Sequence, residues 1–357
     1  MREPNGRIVE LDALRGLAAV AVVAFHYTTR YDNLFGRATD LPWNVSWGQY
    51  GVDLFFMLSG FVIFMTLDRT QGWTRFLWGR FTRLYPAYWA AVGTTFAVVA
   101  FCGLPGQEVS LRDALLNLTM VQSLLGAEHV DGVYWSLQAE VIFYVNMVVL
   151  HRLRFFRRPF LAIVSWLAVS AIAGVMVSAI GAGTLSEAAS LVNKVATIAS
   201  LRYIPFFAIG ILLYMWRAGR MDGWRAPLGL LLCFPLVGAY HGWESTLVAA
   251  VLATVLFLAV RGHLSWLNTP SLVFLGSLSY PLYLIHQNIG YVVMRGGEAS
   301  GLGPTVSFSL AVLLAMVLAV VLHYIVERPA MARLRIRGER RATELPRFRK
   351  ALALTDV

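Results

Sequence analysis

The chain has 357 residues, 58% of them hydrophobic and 14% charged, with a mean hydropathy of +0.62. That composition excludes an ordinary soluble protein of this length and points to a chain folded largely in lipid. A net charge of +10 comes without any nucleic-acid recognition motif, so no nucleic-acid partner is expected. The two cysteines, Cys102 and Cys233, lie at or in apolar segments, which argues against a disulfide framework and against a Cys-based metal site.

Apolar runs long enough to cross a hydrocarbon core as helices recur along the chain. They fall at about 9–29, 50–68, 82–102, 134–151, 160–182, 199–216, 226–240, 245–261, 272–294 and 304–326. The first run carries Asp12 and Arg15 and no small-residue cleavage site, so it is expected to persist as a span rather than leave as a signal peptide. The clusters Arg69/Arg75/Arg80/Arg83, Arg152/Arg154/Arg157/Arg158 and Arg217/Arg220/Arg225 occur at alternate connections, which the positive-inside rule reads as one cytoplasmic face. The expected fold class is therefore all-α: a polytopic integral membrane helical bundle of about ten transmembrane helices with both termini cytoplasmic. Residues 1–330 are expected to form the transmembrane domain, and residues 331–357 a basic tail that lies on the inner leaflet or is partly disordered. The long connection 103–132 shows helical spacing at Leu111, Leu115, Leu118 and Val121 and is expected to lie at the outer interface. No internal repeat is visible.

Ionisable groups at membrane depth are costly and default to functional hypotheses. Arg15 and His26 are eleven residues apart, which returns them to nearly one helix face about 16 Å apart along the axis. Asp12 shares that face. A snorkelling or Asp12-paired arginine and a helix-contact histidine are the structural alternative. A neutral imidazole is the side chain suited to take a proton from an alcohol near neutral pH, as acyl transfer to a hydroxyl requires. In the second span Asp53 sits near the outer end, and Ser59 and Gly60 permit close helix approach. Arg80 and Arg83, followed by Tyr85 and Pro86, stand in the loop before the third span. Their guanidinium forks suit the phosphates of a coenzyme A thioester, although positive-inside anchoring also predicts arginines there. The fourth span concentrates Trp135, Ser136, Gln138 and Glu140; Glu140 needs a partner or a site. Ser279, Tyr283 and His286 form a polar stripe on the ninth span that is expected to face a cavity. His323 and Glu327 are one turn apart at the end of the tenth, where an ion pair explains them.

No G-x-S-x-G elbow, H-E-x-x-H motif, P-loop or G-x-G-x-x-G is present. Instead, several motifs in order resemble the acyltransferase-3 family of membrane-bound O-acyltransferases over essentially the whole chain. They are Arg15-x10-His26, Gly51-Val-Asp53 through Ser59-Gly60, Arg80-Phe-Thr-Arg83-Leu-Tyr85-Pro86, Trp135-Ser136-Leu137 with Glu140, Ser279 through His286, and Val326-Glu327-Arg328-Pro329. The resemblance implies an acyl-CoA cosubstrate from the cytoplasmic side, no permanently bound cofactor and no metal. It implies transfer of an acyl group, expected to be acetyl, to a hydroxyl of a carbohydrate or other small molecule. The catalytic set is then His26 with Arg15, Asp12 and Glu140; the donor set Arg15, Arg80, Arg83 and Tyr85; the acceptor set Asp53, Ser59, Trp135, Tyr283 and His286. The expected location is a bacterial cytoplasmic membrane. With no added extracytoplasmic hydrolase-like domain, the chain is expected to act alone or with a separate partner. His26 serves as general base or as transient acyl carrier, and the residue that orients it is left open. A transporter or flippase using the same polar residues as a path is the alternative.

Overall fold

A computed structural model describes residues 8–37, 41–70, 72–181 and 200–334, and every secondary-structure element among them is helical. Helix α1 (Val9–Phe25) continues through a π-helical turn, His26–Arg30, into α2 (Tyr31–Phe35). Then follow α3 (Gly51–Arg69), α4 (Trp73–Cys102), α5 (Leu111–Asn117), α6 (Tyr134–Arg152) and α7 (Pro159–Gly181). The second half holds α8 (Ile204–Arg217), α9 (Arg225–His241), α10 (Trp243–Arg261), α11 (Pro270–Ile285), α12 (Gln287–Ala299) and α13 (Pro304–Val321). A second π-helical turn, Leu322–Glu327, extends α13. The ends are chemically marked: Pro270 and Pro304 occupy first helical positions, where a missing N–H costs nothing. Gly242, at a positive φ of 88°, turns α9 directly into α10.

Among the described residues the ten apolar runs are largely helical, and five segments are long and apolar enough to cross a bilayer: Ser46–Arg69, Trp73–Cys102, Pro159–Met176, Trp243–Arg261 and Pro304–Leu334. Several apolar helices of this kind mark an integral membrane protein. The side chains agree. On α13, Leu310, Leu313, Val317 and Val321 are exposed, while Ser307, Ala311, Ala315 and Ala319 on the opposite stripe are buried. Large apolar groups outward and small ones inward is the pattern of a helix packed on protein and facing lipid. The arginine-rich ends meet on one face: Arg152 lies over the Trp73 ring, Arg261 over the Trp216 ring, and Arg220 pairs with Asp68.

Three expectations are corrected. The segment Arg75–Pro86 is not a loop but the first turns of α4, which contains Pro86 in its interior. Intramembrane helices tolerate proline because neighbours re-satisfy the backbone. The ninth span is not continuous; it breaks at His286 into α11 and α12. The connection after α4 does not run along one interface. Its helix α5 is short, and the chain beyond it descends beside α4, so that Trp89 Nε1 donates to Leu118 O at 2.9 Å and Tyr85 OH to Thr119 O at 3.0 Å. Tyr85 lies roughly 25 Å along α4 from its Cys102 end. Buried Asn117 makes such a descent possible: it donates to Asp113 O and Glu128 O, both at 2.7 Å, and accepts from Val130 N at 3.1 Å, serving backbone groups that water would otherwise serve. Beyond residue 334, the basic tail lies outside the described residues.

Two glycine crossings hold the bundle together. A Cβ on Gly60 would strike the Phe207 backbone and one on Gly210 the Met57 carbonyl, which joins α3 to α8. A Cβ on Gly276 would strike the Asp12 carbonyl and one on Gly16 the Gly276 backbone, which joins α1 to α11. Gly276→Val is therefore expected to cost about 1–3 kcal/mol through overpacking, read as a lower thermal midpoint of the purified protein. Gly296→Val, in open space, is expected to leave that midpoint close to wild type.

Candidate active site

The α1 and α11 crossing sets up the centre of the molecule. His26 ends α1 and opens the π-helical turn, a local widening of the helix that recurs at functional sites. Its Nδ1 lies 2.8 Å from its own-helix carbonyl, Val22 O, and 3.2 Å from Nε2 of His286. The two rings meet edge to face with centroids 4.9 Å apart. His286, expected on the acceptor side, is fully buried behind His26.

His26 lines a cavity of about 640 Å³ at this end of the bundle. Of the expected acceptor residues, Asp53 from the first turn of α3, Trp135 from the first turn of α6 and Tyr283 from α11 line it too. The wall also holds Arg202, Tyr203, His241, Trp243 and Glu244, none of them singled out in the sequence. Trp135 and Tyr203 rings are 5.1 Å apart and Tyr203 and His241 5.8 Å apart, making a row of aromatic faces along one side. His241, Trp243 and Glu244 come from the α9–α10 turn and Tyr203 from the residue before α8. Polar aromatics at span ends are read as interfacial anchors, and no spacing rule links helices so far apart in the chain.

Toward the basic face two smaller cavities continue the line. One of about 50 Å³ shares Val52 and Tyr283 with the large chamber and is lined also by Phe55, Arg15, Ser59 and Glu140. The next, of about 20 Å³, shares Arg15, Ser59, Glu140 and Tyr280 with it and reaches Arg80, Arg83 and Tyr144. His26 and the pair Arg80 and Arg83 therefore stand at opposite ends of one file of cavities, and Arg15 lines both of the smaller ones. Glu140 sits at its middle with its Oε1 accepting from Ser59 Oγ at 2.7 Å and Tyr144 OH at 2.6 Å. Tyr283 OH is 2.6 Å from Ser136 Oγ, and its ring meets Phe55 edge to face at 5.7 Å, closing the junction with the chamber. The Nε atoms of Arg15 and Arg80 are buried without a hydrogen-bond acceptor.

Two expected residues stand apart. Tyr85 does not line these cavities; its ring stacks on Phe81 at 4.7 Å and its hydroxyl holds Thr119. Asp12 lies one turn beyond Arg15 toward the basic face, also outside the cavity linings, and acts on Arg15 through its charge. At the end of α13, His323 Nδ1 meets Glu327 Oε2 at 2.7 Å, the pair that their spacing predicts. The charge of Glu327 is felt by Arg83 and Arg15.

Known proteins supply an independent comparison. The family profile described as an acyltransferase domain (Acyl_transf_3) matches residues 8–326. The exopolysaccharide production protein ExoZ of Rhizobium meliloti (strain 1021) is 29% identical, over 85% of this chain and 96% of its own length. The acyltransferase MdmB of Streptomyces mycarofaciens is 29% identical over 94% of each chain. No solved structure matches. With a match that runs from the start of α1 to the π-helical turn after α13, the chain belongs to the acyltransferase-3 family of O-acyltransferases.

Proposed function

We propose that this protein transfers an acyl group, acetyl in the simplest case, from acyl-CoA to a hydroxyl of a carbohydrate or similar small molecule, with His26 as the proton-accepting residue. The observation that carries this reading is the file of cavities with arginines at one end and a histidine-lined chamber at the other. Arg15 and His26 are separated by about 16 Å of helix, a length comparable to the pantetheine arm of coenzyme A. Arginine forks suit the phosphates of the nucleotide end, and the orphaned Nε donors of Arg15 and Arg80 are groups that a buried acceptor would satisfy. By the positive-inside rule the basic face is cytoplasmic, so the donor reaches Arg80 and Arg83 from the cytoplasm and the acceptor reaches the chamber from the other side. The name of one relative, an exopolysaccharide production protein, supports the acceptor class, and that of the other, an acyltransferase, supports the reaction.

The chemistry balances with these groups. The hydroxyl proton of the acceptor passes to the free nitrogen of His26 as its oxygen attacks the thioester carbonyl carbon. The new C–O bond forms, the C–S bond breaks, and the departing thiolate takes the proton back from His26. Glu140, held by Ser59 and Tyr144, offsets the positive charge of Arg15, Arg80 and Arg83 where they converge. Cavities of about 50 and 20 Å³ hold only a water or two, so passage of the thioester requires Tyr283 and Phe55 to separate. Asp53 offers a hydroxyl acceptor in the chamber wall, and the Trp135–Tyr203–His241 row offers flat faces for a sugar ring.

Three measurements test this reading with purified protein in liposomes, acetyl-CoA as donor and the surface polysaccharide of its host as acceptor. His26→Ala is expected to reduce acetyl transfer by roughly 10²–10⁴-fold with an unchanged thermal midpoint; retained transfer overturns the role of His26. Arg80→Ala with Arg83→Ala is expected to raise KM for acetyl-CoA at least tenfold while leaving KM for the polysaccharide within about twofold. Trp135→Ala is expected to do the reverse, raising KM for the polysaccharide alone.

A further inference from the structure

His26 needs a partner that holds its ring in one tautomer, and the proton count around His286 identifies one. His286 Nδ1 lies 3.0 Å from Tyr283 O and 3.2 Å from Leu282 O. Carbonyl oxygens only accept, so Nδ1 of His286 carries the hydrogen and its Nε2 the lone pair. His26 Nδ1 lies 2.8 Å from Val22 O, so it too carries a hydrogen, shared between that carbonyl and His286 Nε2 at 3.2 Å. The opposite assignment would set a lone pair of His26 against Val22 O and a lone pair of His286 against two carbonyls. One arrangement satisfies every group, and it leaves Nε2 of His26 unprotonated and available to the chamber that His26 lines.

The backbone at His286 is fixed from several sides, which makes the arrangement rigid. His286 O accepts from Tyr27 OH at 2.6 Å and from Gly290 N at 2.9 Å. Gly290 has no Cβ because one there would occupy the Tyr27 ring. Asp131, buried in the descending connection, accepts from Asn288 N at 3.1 Å, one residue into the start of α12, and Asn288 Nδ2 donates to Val130 O at 3.0 Å. The break between α11 and α12 is thus held by α1 and by the α5–α6 connection together, and the ring it carries is fully buried. His286 does not itself line the chamber; its free ring nitrogen meets the chamber wall at His26.

We propose that His286 is a positioning residue for His26: its Nε2 accepts the Nδ1–H of His26 and so fixes the tautomer whose Nε2 takes the acceptor's proton. As that proton arrives, the charge on the His26 ring is shared through the same hydrogen bond, and the Nδ1–H of His286 is held by the Leu282 and Tyr283 carbonyls. The role rests on the reading of His26 as proton acceptor.

Two experiments decide it. Nitrogen-15 NMR of histidine-labelled protein in nanodiscs, with His26→Gln used to assign the signals, is expected to report His26 protonated at Nδ1 and bare at Nε2; the opposite tautomer overturns the proposal. His286→Leu, assayed with acetyl-CoA and host polysaccharide, is expected to lower kcat roughly 10–100-fold with both KM values within about twofold. His286→Gln, whose side-chain oxygen restores an acceptor, is expected to recover part of that loss. An unchanged kcat in folded His286→Leu overturns the proposal. If His286→Leu does not fold, His286→Gln and the tautomer spectrum decide: a His286→Gln rate no better than that of His26→Ala, or a reversed tautomer, overturns it. Full transfer by His26→Ala would instead defeat the parent reading, whereas an inactive His26→Ala beside a fully active His286→Leu defeats this inference alone.

Discussion

The close crossing of α1 and α11 at Gly16 and Gly276 is the constraint on which the rest of the centre depends. With no Cβ on either residue, backbone meets backbone, as small residues allow where helices associate in lipid without a hydrophobic drive between them. His26 follows Gly16 by ten residues and His286 follows Gly276 by ten, so two helices running side by side carry the two rings the same distance, roughly 15 Å, beyond the crossing. A wider crossing would part the rings and open the hydrogen bond between them.

Around that axis the protein meets the cost of polar groups at membrane depth by giving them partners on other helices. Glu140 on α6 is held by Ser59 on α3 and by Tyr144 on its own helix. Asp131 and Asn117 serve backbone N–H groups of α12 and of the descending connection. Their burial is the condition for non-helical chain beside a membrane helix, and it lets the α5–α6 connection reach the break at His286. The connection therefore supports the site and also lends its last residue, Val133, to the chamber wall.

The same economy separates the two ends of the cavity file. Arginines on α1 and α4 converge where Glu140 and the more distant Glu327 moderate their mutual repulsion, while the chamber around His26 is walled by aromatic faces and two carboxylates, Asp53 and Glu244, with Arg202. On the proposed function, a phosphate-bearing donor and a hydroxyl-bearing acceptor would find complementary surroundings at opposite ends. Tyr283, which touches both the chamber and the adjoining cavity, stands where the reacting groups would meet.

The amino-acid order alone determines the apolar runs, the alternation of basic connections and the column of Arg15 and His26, because each follows from local periodicity or from the cost of charge in lipid. It carries the spacing of Arg80 and Arg83, the arginines proposed to bind the donor, even though the segment holding them reads as a loop: Pro86 and the density of arginine mask a helix that neighbouring segments stabilise. Only the tertiary structure decides that Tyr85 holds the descending connection, that His286 lies against His26 outside the chamber wall, and that the α9–α10 turn with His241, Trp243 and Glu244 lines the chamber. Those facts depend on which helices touch and at what distance. The contact between His26 and His286 joins residues 260 positions apart in the chain, where no periodicity carries information.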